Sequence, residues 1–327
     1  MRGVALVTGG TGMLGAGIAR LLLSQGWRVR LTYLPGDTTL AVQGLQAEHR
    51  PADLLDRDAL AWALEGVEVV FHTAALVTFD PALYGRQMQI NVEGTRRMLQ
   101  LAAAAKVRRL VHTSTVNTLG VPRAGVGHEE TPFDWAPHHL GYMDSKRAAE
   151  QLVLEAAHQG QVPAVAVLPG TLFGPGDAHH NAGSYIRLVA RSPLILAPPG
   201  GTTVAHVDDV AAGHLLALER GAVGQRYILG GEPMTYVEIF TAIAAALGRC
   251  GRVHQLPRVL MEAAGRLGSA ARGVGLPTPL TVGLARAACA NLFYTSDRAR
   301  KDLGWSFRPG RDAIRDGIQW YRELGWV

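Results

Sequence analysis

Two cysteines in 327 residues, Cys250 and Cys289, leave no material for a disulfide framework or a four-thiolate zinc site and fit a reducing compartment, the cytoplasm. No run of about 20 apolar residues is present, so no segment is expected to span a bilayer. Aromatic side chains are scarce at 6%, and charged ones reach 18% against 48% hydrophobic; this balance excludes a disordered or coiled-coil chain and suits a packed soluble α/β protein. The net charge of +5 is read as scattered, with Arg96-Arg97 and the stretch 106–109 densest, so a solvated surface is expected and no nucleic-acid partner. No internal repeat is found, and the apolar N-terminus reads as a strand and turn rather than a signal sequence.

Glycine is plentiful, and it is placed. The apolar run 4–8 has strand length and breaks into Gly9, Gly12 and Gly15. Ile18, Leu21 and Leu22 then continue at helical spacing, Gly26 sits where a helix would end, and 27–33 alternates as a second strand. In such a strand–turn–helix unit the glycines give the tight turn, the close approach to a pyrophosphate and the packing of helix on strand. Downstream, a helical stretch is expected at 39–45, a weak strand at 48–50, a helix at 56–64, a strand at 67–71, a long helix at 84–105 and a strand at 109–113. A helix over 142–158 and a strand over 162–168 follow the irregular stretch 120–141. That alternation implies a doubly wound parallel sheet. Residues 174–201 and 231–327 look different, the latter mostly helical, while 203–229 returns to the sheet. The expectation is a dinucleotide-binding unit of residues 1–173 and 203–230, interleaved with a substrate unit of 174–202 and 231–327. Residues 256–267 are read as a core helix, in preference to a pocket cover or a membrane-surface element.

Tyr142 and Lys146 lie four residues apart on the predicted helix and so share a face. A lysine ammonium near a phenol favours the phenolate, which brings a group of ordinary pKa about 10 toward working pH. The histidine pairs His138-His139 and His179-His180 lack acidic or thiolate partners at ligand spacing, so no metal is expected; their loops are placed by the nicotinamide end, with His180 toward substrate.

The Gly-x-x-Gly-x-x-Gly spacing in TGGTGMLG resembles the short-chain dehydrogenase/reductase superfamily, and the chain length its extended branch. YMDSKRAAE at 142–150 is similar to the YxxSKxxAE string of dihydroflavonol reductase-like enzymes, and 206–231 also resembles hopanoid-associated sugar-epimerase-like proteins. The resemblance implies a Rossmann fold with a smaller, mostly helical C-terminal substrate domain, and NAD(P)(H)-dependent chemistry on a small carbonyl or alcohol. It assigns the catalytic roles to Tyr142, Lys146 and a hydroxyl at Thr115 or Ser114. It lines the cofactor path with Gly9, Thr11, Gly12, Met13, Leu14, Gly15, Tyr33, Asp53, Leu54, Thr73, Ala74, Ala75, Asn91 and Thr113, with Tyr142 and Lys146 at the ribose and Pro169, Gly170, Thr171 and Leu172 beside the nicotinamide. Phe79, Trp135, Phe173 and Tyr185, with Thr115, are expected around an apolar or aromatic substrate. Family members pair as homodimers, here through residues 84–105 and 142–158. The alternatives are a nucleotide-sugar epimerase or dehydratase, with Asn181, Arg187 and Arg226 as candidate diphosphate clamps, and a non-catalytic dinucleotide sensor. The end of the second strand, Thr32-Tyr33, lacks the carboxylate that binds a ribose 2′-hydroxyl, and Leu34 stands where a phosphate-binding arginine would. Arg28, Arg30 and Asp37 are the remaining charged neighbours, and the balance favours NADP(H) slightly over NAD(H).

Overall fold

The run after Gly3 forms β1 (Val4–Thr8), buried on both faces. Ala5 and Val7 pack with Ile18, Leu22, Val29 and Leu31, whereas Val4 and Leu6 pack with Leu60, Val70, Met98 and Leu110. A strand enclosed on both sides is continuously apolar, the pattern of a parallel sheet between helices. The computed structural model, which describes residues 3–123, 125–276, 278 and 280–327, contains that sheet. In chain order β1 is followed by β2 (Arg28–Thr32), β3 (Glu48–His49), β4 (Val67–His72), β5 (Arg109–Thr113) and β6 (Ala164–Pro169). With Arg226–Leu229 at one edge they run parallel in the order Arg226–Leu229, β6, β5, β4, β1, β2, β3. This is the expected Rossmann, doubly wound arrangement. The strand order reverses at β1, so a crevice opens at the carboxyl ends of β1 and β4, the position where such sheets bind ligands.

Only Arg226–Leu229 of the stretch 203–229 joins this sheet. Gly201–His206 instead centres a second sheet, antiparallel to Glu232–Thr235 and parallel to Thr171–Phe173 and Asn291–Leu292. The strands cross closely at Gly170, where a β-carbon would stand 2.5 Å from the carbonyl oxygen of Thr203.

Three helical expectations need correction. Residues 39–45 give one 3-10 turn, Leu40–Val42, followed by Gly44 at φ +80°. The long helix over 84–105 is α at Tyr84–Gln87, widens to a π turn at Met88–Glu93 and resumes as Gly94–Ala104. Such a turn admits an extra residue and often marks a functional position. The helix Arg258–Gly273 is not in the core: Gly265 is its one buried residue. Gly265 and Gly268 form its inner face because any side chain there would collide, at Gly265 with the Ala285 β-carbon at 2.6 Å and at Gly268 with the Leu280 carbonyl.

Candidate active site

The glycine loop is shaped by what a side chain would hit. Gly9 takes φ +64°, and a β-carbon on it would lie 2.8 Å from the Ala74 α-carbon, while one on Gly15 would strike the Gly9 carbonyl. Thr73 and Ala74 are tied to the end of β1: both amides donate to Thr8 Oγ1 at 3.2 Å, and Thr73 Oγ1 donates to the Thr8 carbonyl at 2.5 Å. The helix Met13–Ser24 starts at Gly12 with no side-chain cap. Bare backbone at a helix start, walled by loops with no room for side chains, fits a dinucleotide pyrophosphate. Asp53 and Leu54 lie in the turn after β3, where Asp53 Oδ1 accepts from the Leu55 amide at 2.9 Å. Pro169 ends β6 and Gly170 to Leu172 follow it, with the Gly170 amide on the Leu229 carbonyl at 3.3 Å.

At the end of β5 two adjacent hydroxyls separate by role. Ser114 turns into the protein and donates to the carboxylate of Glu150, which also accepts from Thr118 Oγ1 at 2.7 Å and from Arg226 Nη1 at 2.8 Å. Thr115 Oγ1 instead accepts from the Asn117 amide at 3.3 Å and neighbours the Tyr142 hydroxyl, whose pKa it lowers. An edge-on Phe79 ring stands 5.5 Å from the Tyr142 ring. The fully buried Glu150 was not singled out as functional from the sequence; its position one turn after Lys146, on the same face, was the available signal.

Lys146 is anchored on the end of β5. Its Nζ donates to the Thr113 carbonyl at 2.6 Å, and burial pulls its pKa down to about 8. Burial pushes the Tyr142 hydroxyl up, and the neighbouring Thr115 hydroxyl opposes that shift. The net direction is upward, the opposite of the depression expected from the lysine. Asn91, on the π turn, has its amide committed to protein: Oδ1 accepts from the Leu76 amide at 2.7 Å, and Nδ2 donates to Ser145 Oγ at 2.9 Å and to the Leu76 carbonyl at 3.1 Å. It clamps the loop carrying Phe79 to the helix Gly141–His158.

The two histidine pairs lie at opposite ends. His138 contacts Arg286 Nη1 at 2.6 Å and His139 packs edge-on against Tyr84, both near the start of the helix Gly141–His158. His179 instead bonds Asp37 Oδ1 at 2.8 Å, and Asp37 Oδ2 accepts from Thr11 of the glycine loop at 2.6 Å. These bonds hold the Asp37 carboxyl below its usual range against the raising effect of partial burial. His180 bonds the Tyr321 hydroxyl at 2.8 Å and stacks on Trp326, so it is not brought to Tyr142. Trp135 is likewise not a pocket residue: it is fully buried among Val116, Leu119 and Met143, with Nε1 on the Leu119 carbonyl at 2.9 Å. Phe173 is buried in the helical layer, where it stacks on Tyr185, which in turn packs on Phe240. At the end of β2, Tyr33 is bonded to His49 Nδ1 at 3.0 Å, and Arg30 is buried on Glu48 and the carbonyls of Ala63 and Glu65.

A glycine cradle at the switch point, beside a tyrosine, lysine and hydroxyl group, defines a nicotinamide-dinucleotide enzyme. Residues 5–230 match the model of the NAD dependent epimerase/dehydratase family, and the chain belongs to that family, in the extended branch of the short-chain dehydrogenases/reductases. It is 32% identical over 326 residues to sterol demethylase protein B of Methylococcus capsulatus, across 98% of this chain and 99% of that one. It is 32% identical over 321 residues to 2-alkyl-3-oxoalkanoate reductase of Stenotrophomonas maltophilia, across 92% and 93%. The crystal structure of gox2253 is similar throughout, with a TM-score of 0.88 and 35% identity over 100% of both chains. The protein is thus an NAD(P)-dependent oxidoreductase of the extended short-chain type.

Proposed function

We propose that the protein reduces, or in reverse oxidises, a small apolar or aromatic carbonyl/alcohol substrate, with Tyr142 as the general acid/base. The observation that carries this is the Thr115 hydroxyl set beside the Tyr142 hydroxyl, with the Phe79 ring edge-on to the tyrosine. A bound NAD(P)H, held by Gly9 to Gly15, Thr73 to Ala75 and Pro169 to Leu172, supplies the hydride. In reduction Tyr142 gives its hydroxyl proton to the substrate oxygen, and Thr115 donates to the same oxygen to orient it. A tyrosine raised by burial is protonated at neutral pH, the form a proton donor needs. Lys146, anchored on Thr113, presents its remaining N–H bonds to the ribose side of the crevice.

The relatives named for a sterol and for an alkyl oxoalkanoate support an apolar substrate. The epimerase reading loses one of its clamps, because Arg226 is committed to Glu150. For the cofactor, the lean to NADP(H) rests on the missing carboxylate at Tyr33, but no guanidinium replaces it. Arg30 is paired elsewhere, and the Asp37 carboxylate stands against Thr11. We therefore expect weak discrimination, with the two dissociation constants within about tenfold. By family resemblance the protein acts as a homodimer, and two free cysteines fit a cytoplasmic setting.

The test is cofactor turnover across apolar ketones, their alcohols and nucleotide sugars. The reading requires turnover with an apolar carbonyl or alcohol; turnover with nucleotide sugars alone would move the protein to the epimerase class.

A further inference from the structure

The helix Arg258–Gly273 is turned inside out. Gly265 and Gly268 face the protein, while Val259 is 75% exposed, Leu260 58% and Leu267 72%. Val274 and Leu276 continue that surface at 78% and 59%. At 100° per residue Val259, Leu260, Ala263, Leu267, Ala270 and Val274 fall on one aliphatic face, and all six are exposed. An exposed face of this kind marks an interaction surface.

The charge beside it selects the occupant. Residues 249–286 hold six arginines (249, 252, 258, 266, 272 and 286) and one acid, Glu262, a surplus of five. The whole chain carries 32 basic and 27 acidic side chains, the same surplus of five. The net positive charge is therefore concentrated here, not scattered. Arg258 pairs with Glu262 and Arg286 with Asp134, but among the described residues no ion pair is formed by Arg252, Arg266 or Arg272. Arg266 borders the aliphatic face, and a two-fold contact with a second copy would bring it and the neighbouring arginines of both copies together. An anionic bilayer instead accepts the aliphatic face into its acyl boundary and the guanidiniums among its headgroups.

We propose that the helix Arg258–Gly273 docks the protein on the surface of an anionic lipid bilayer. Docking also brings to that surface a cavity of about 320 Å³ that Ser269 and Arg272 share with Pro81, Pro137, His138 and His139; Phe79, two residues before Pro81, packs on Tyr142. The delivery of apolar substrate from the bilayer rests on the function proposed above, whereas the docking itself does not.

Co-sedimentation of the full-length protein with vesicles of phosphatidylglycerol and phosphatidylcholine, without substrate or cofactor, tests docking independently of activity. Binding is expected at low salt, weaker at high salt and on phosphatidylcholine alone. A Leu260→Ser/Leu267→Ser/Val274→Ser variant should partition roughly a hundredfold less, and Arg252→Gln/Arg266→Gln roughly tenfold less. Unchanged cofactor affinity shows that each variant is folded; if the triple variant loses it, the arginine variant decides alone. No binding by the wild type, or equal binding by a folded variant, overturns the proposal. So does a dimer that ignores vesicles and that the triple variant splits, since the face would then belong to a second copy.

Discussion

The Thr115 hydroxyl, just past the end of β5, neighbours the Tyr142 hydroxyl of the helix Gly141–His158 and opposes the upward shift that burial gives it. The neighbouring Ser114 is held away by Glu150, so one of two adjacent hydroxyls faces the tyrosine and the other the core. Thr115→Val should lower kcat/KM by roughly a hundredfold, the worth of one well-placed donor to a reacting oxygen. Ser114→Ala should leave kcat within a few-fold and lower stability by roughly 1–3 kcal/mol, because a hydrogen bond to a buried carboxylate is lost. Steady-state kinetics beside urea unfolding separates the two effects; the reverse ranking in kcat/KM would make Ser114 the substrate hydroxyl.

Lys146 titrates near 8 because burial disfavours its charged form. Its ammonium is present below that pH and lost above it, so affinity for the anionic cofactor should fall as pH rises through about 8. Fluorescence titration of cofactor from pH 6.5 to 9.5 reads this directly. Lys146→Met should be weaker throughout and flat; a flat wild-type profile would remove the ammonium from cofactor binding.

Three buried histidines set the acid limit of the fold. Burial lowers His72 to about 3 and His214 to about 4, and lowers His112 well below its ordinary value. Folded-state values below the unfolded one mean that stability is whole above the unfolded pKa of about 6.5 and is lost as pH falls below it. Each histidine should cost roughly 2 kcal/mol between pH 7 and pH 5. His112→Leu removes an imidazole with no hydrogen bond to either ring nitrogen. Its urea-unfolding free energy should therefore drop by roughly 2 kcal/mol less over that interval. An identical drop would show that His112 is protonated in the folded protein.

Asp37 links Thr11 of the glycine loop to His179. Held in its ionised form by those bonds, it opposes a 2′-phosphate placed nearby. Asp37→Asn should improve NADP(H) affinity by roughly tenfold, the equivalent of 1.4 kcal/mol, and change NAD(H) affinity far less. Equal changes for both cofactors would reduce Asp37 to a structural strut.

The glycine spacing and the alternation of apolar runs made the sheet and its crevice legible, because β1 and β6 are wholly buried and read as runs without a charge, and β4 and β5 keep apolar centres. The Tyr142/Lys146 face was legible from helical periodicity. Long-range pairing was not. Nothing local states that Ser114 turns to Glu150, that Lys146 reaches for the Thr113 carbonyl, or that Asp37 returns across 26 residues to Thr11. Trp135 and Phe173 were misplaced because an aromatic ring in a loop looks the same whether it lines a cavity or fills a core. The helix Arg258–Gly273 was taken for core because its aliphatic periodicity is real; only its glycine contacts with Ala285 and Leu280 show which side faces in.

The account stands on Tyr142 as the proton donor, and Tyr142→Phe tests it most directly when turnover and cofactor affinity are measured on the same preparation. The variant keeps the ring against Phe79 and loses only the hydroxyl beside Thr115. Turnover with the best carbonyl substrate should fall by roughly two to four orders of magnitude while the cofactor dissociation constant stays within a few-fold. Turnover within a few-fold of wild type would contradict the assignment and remove Tyr142 from the mechanism.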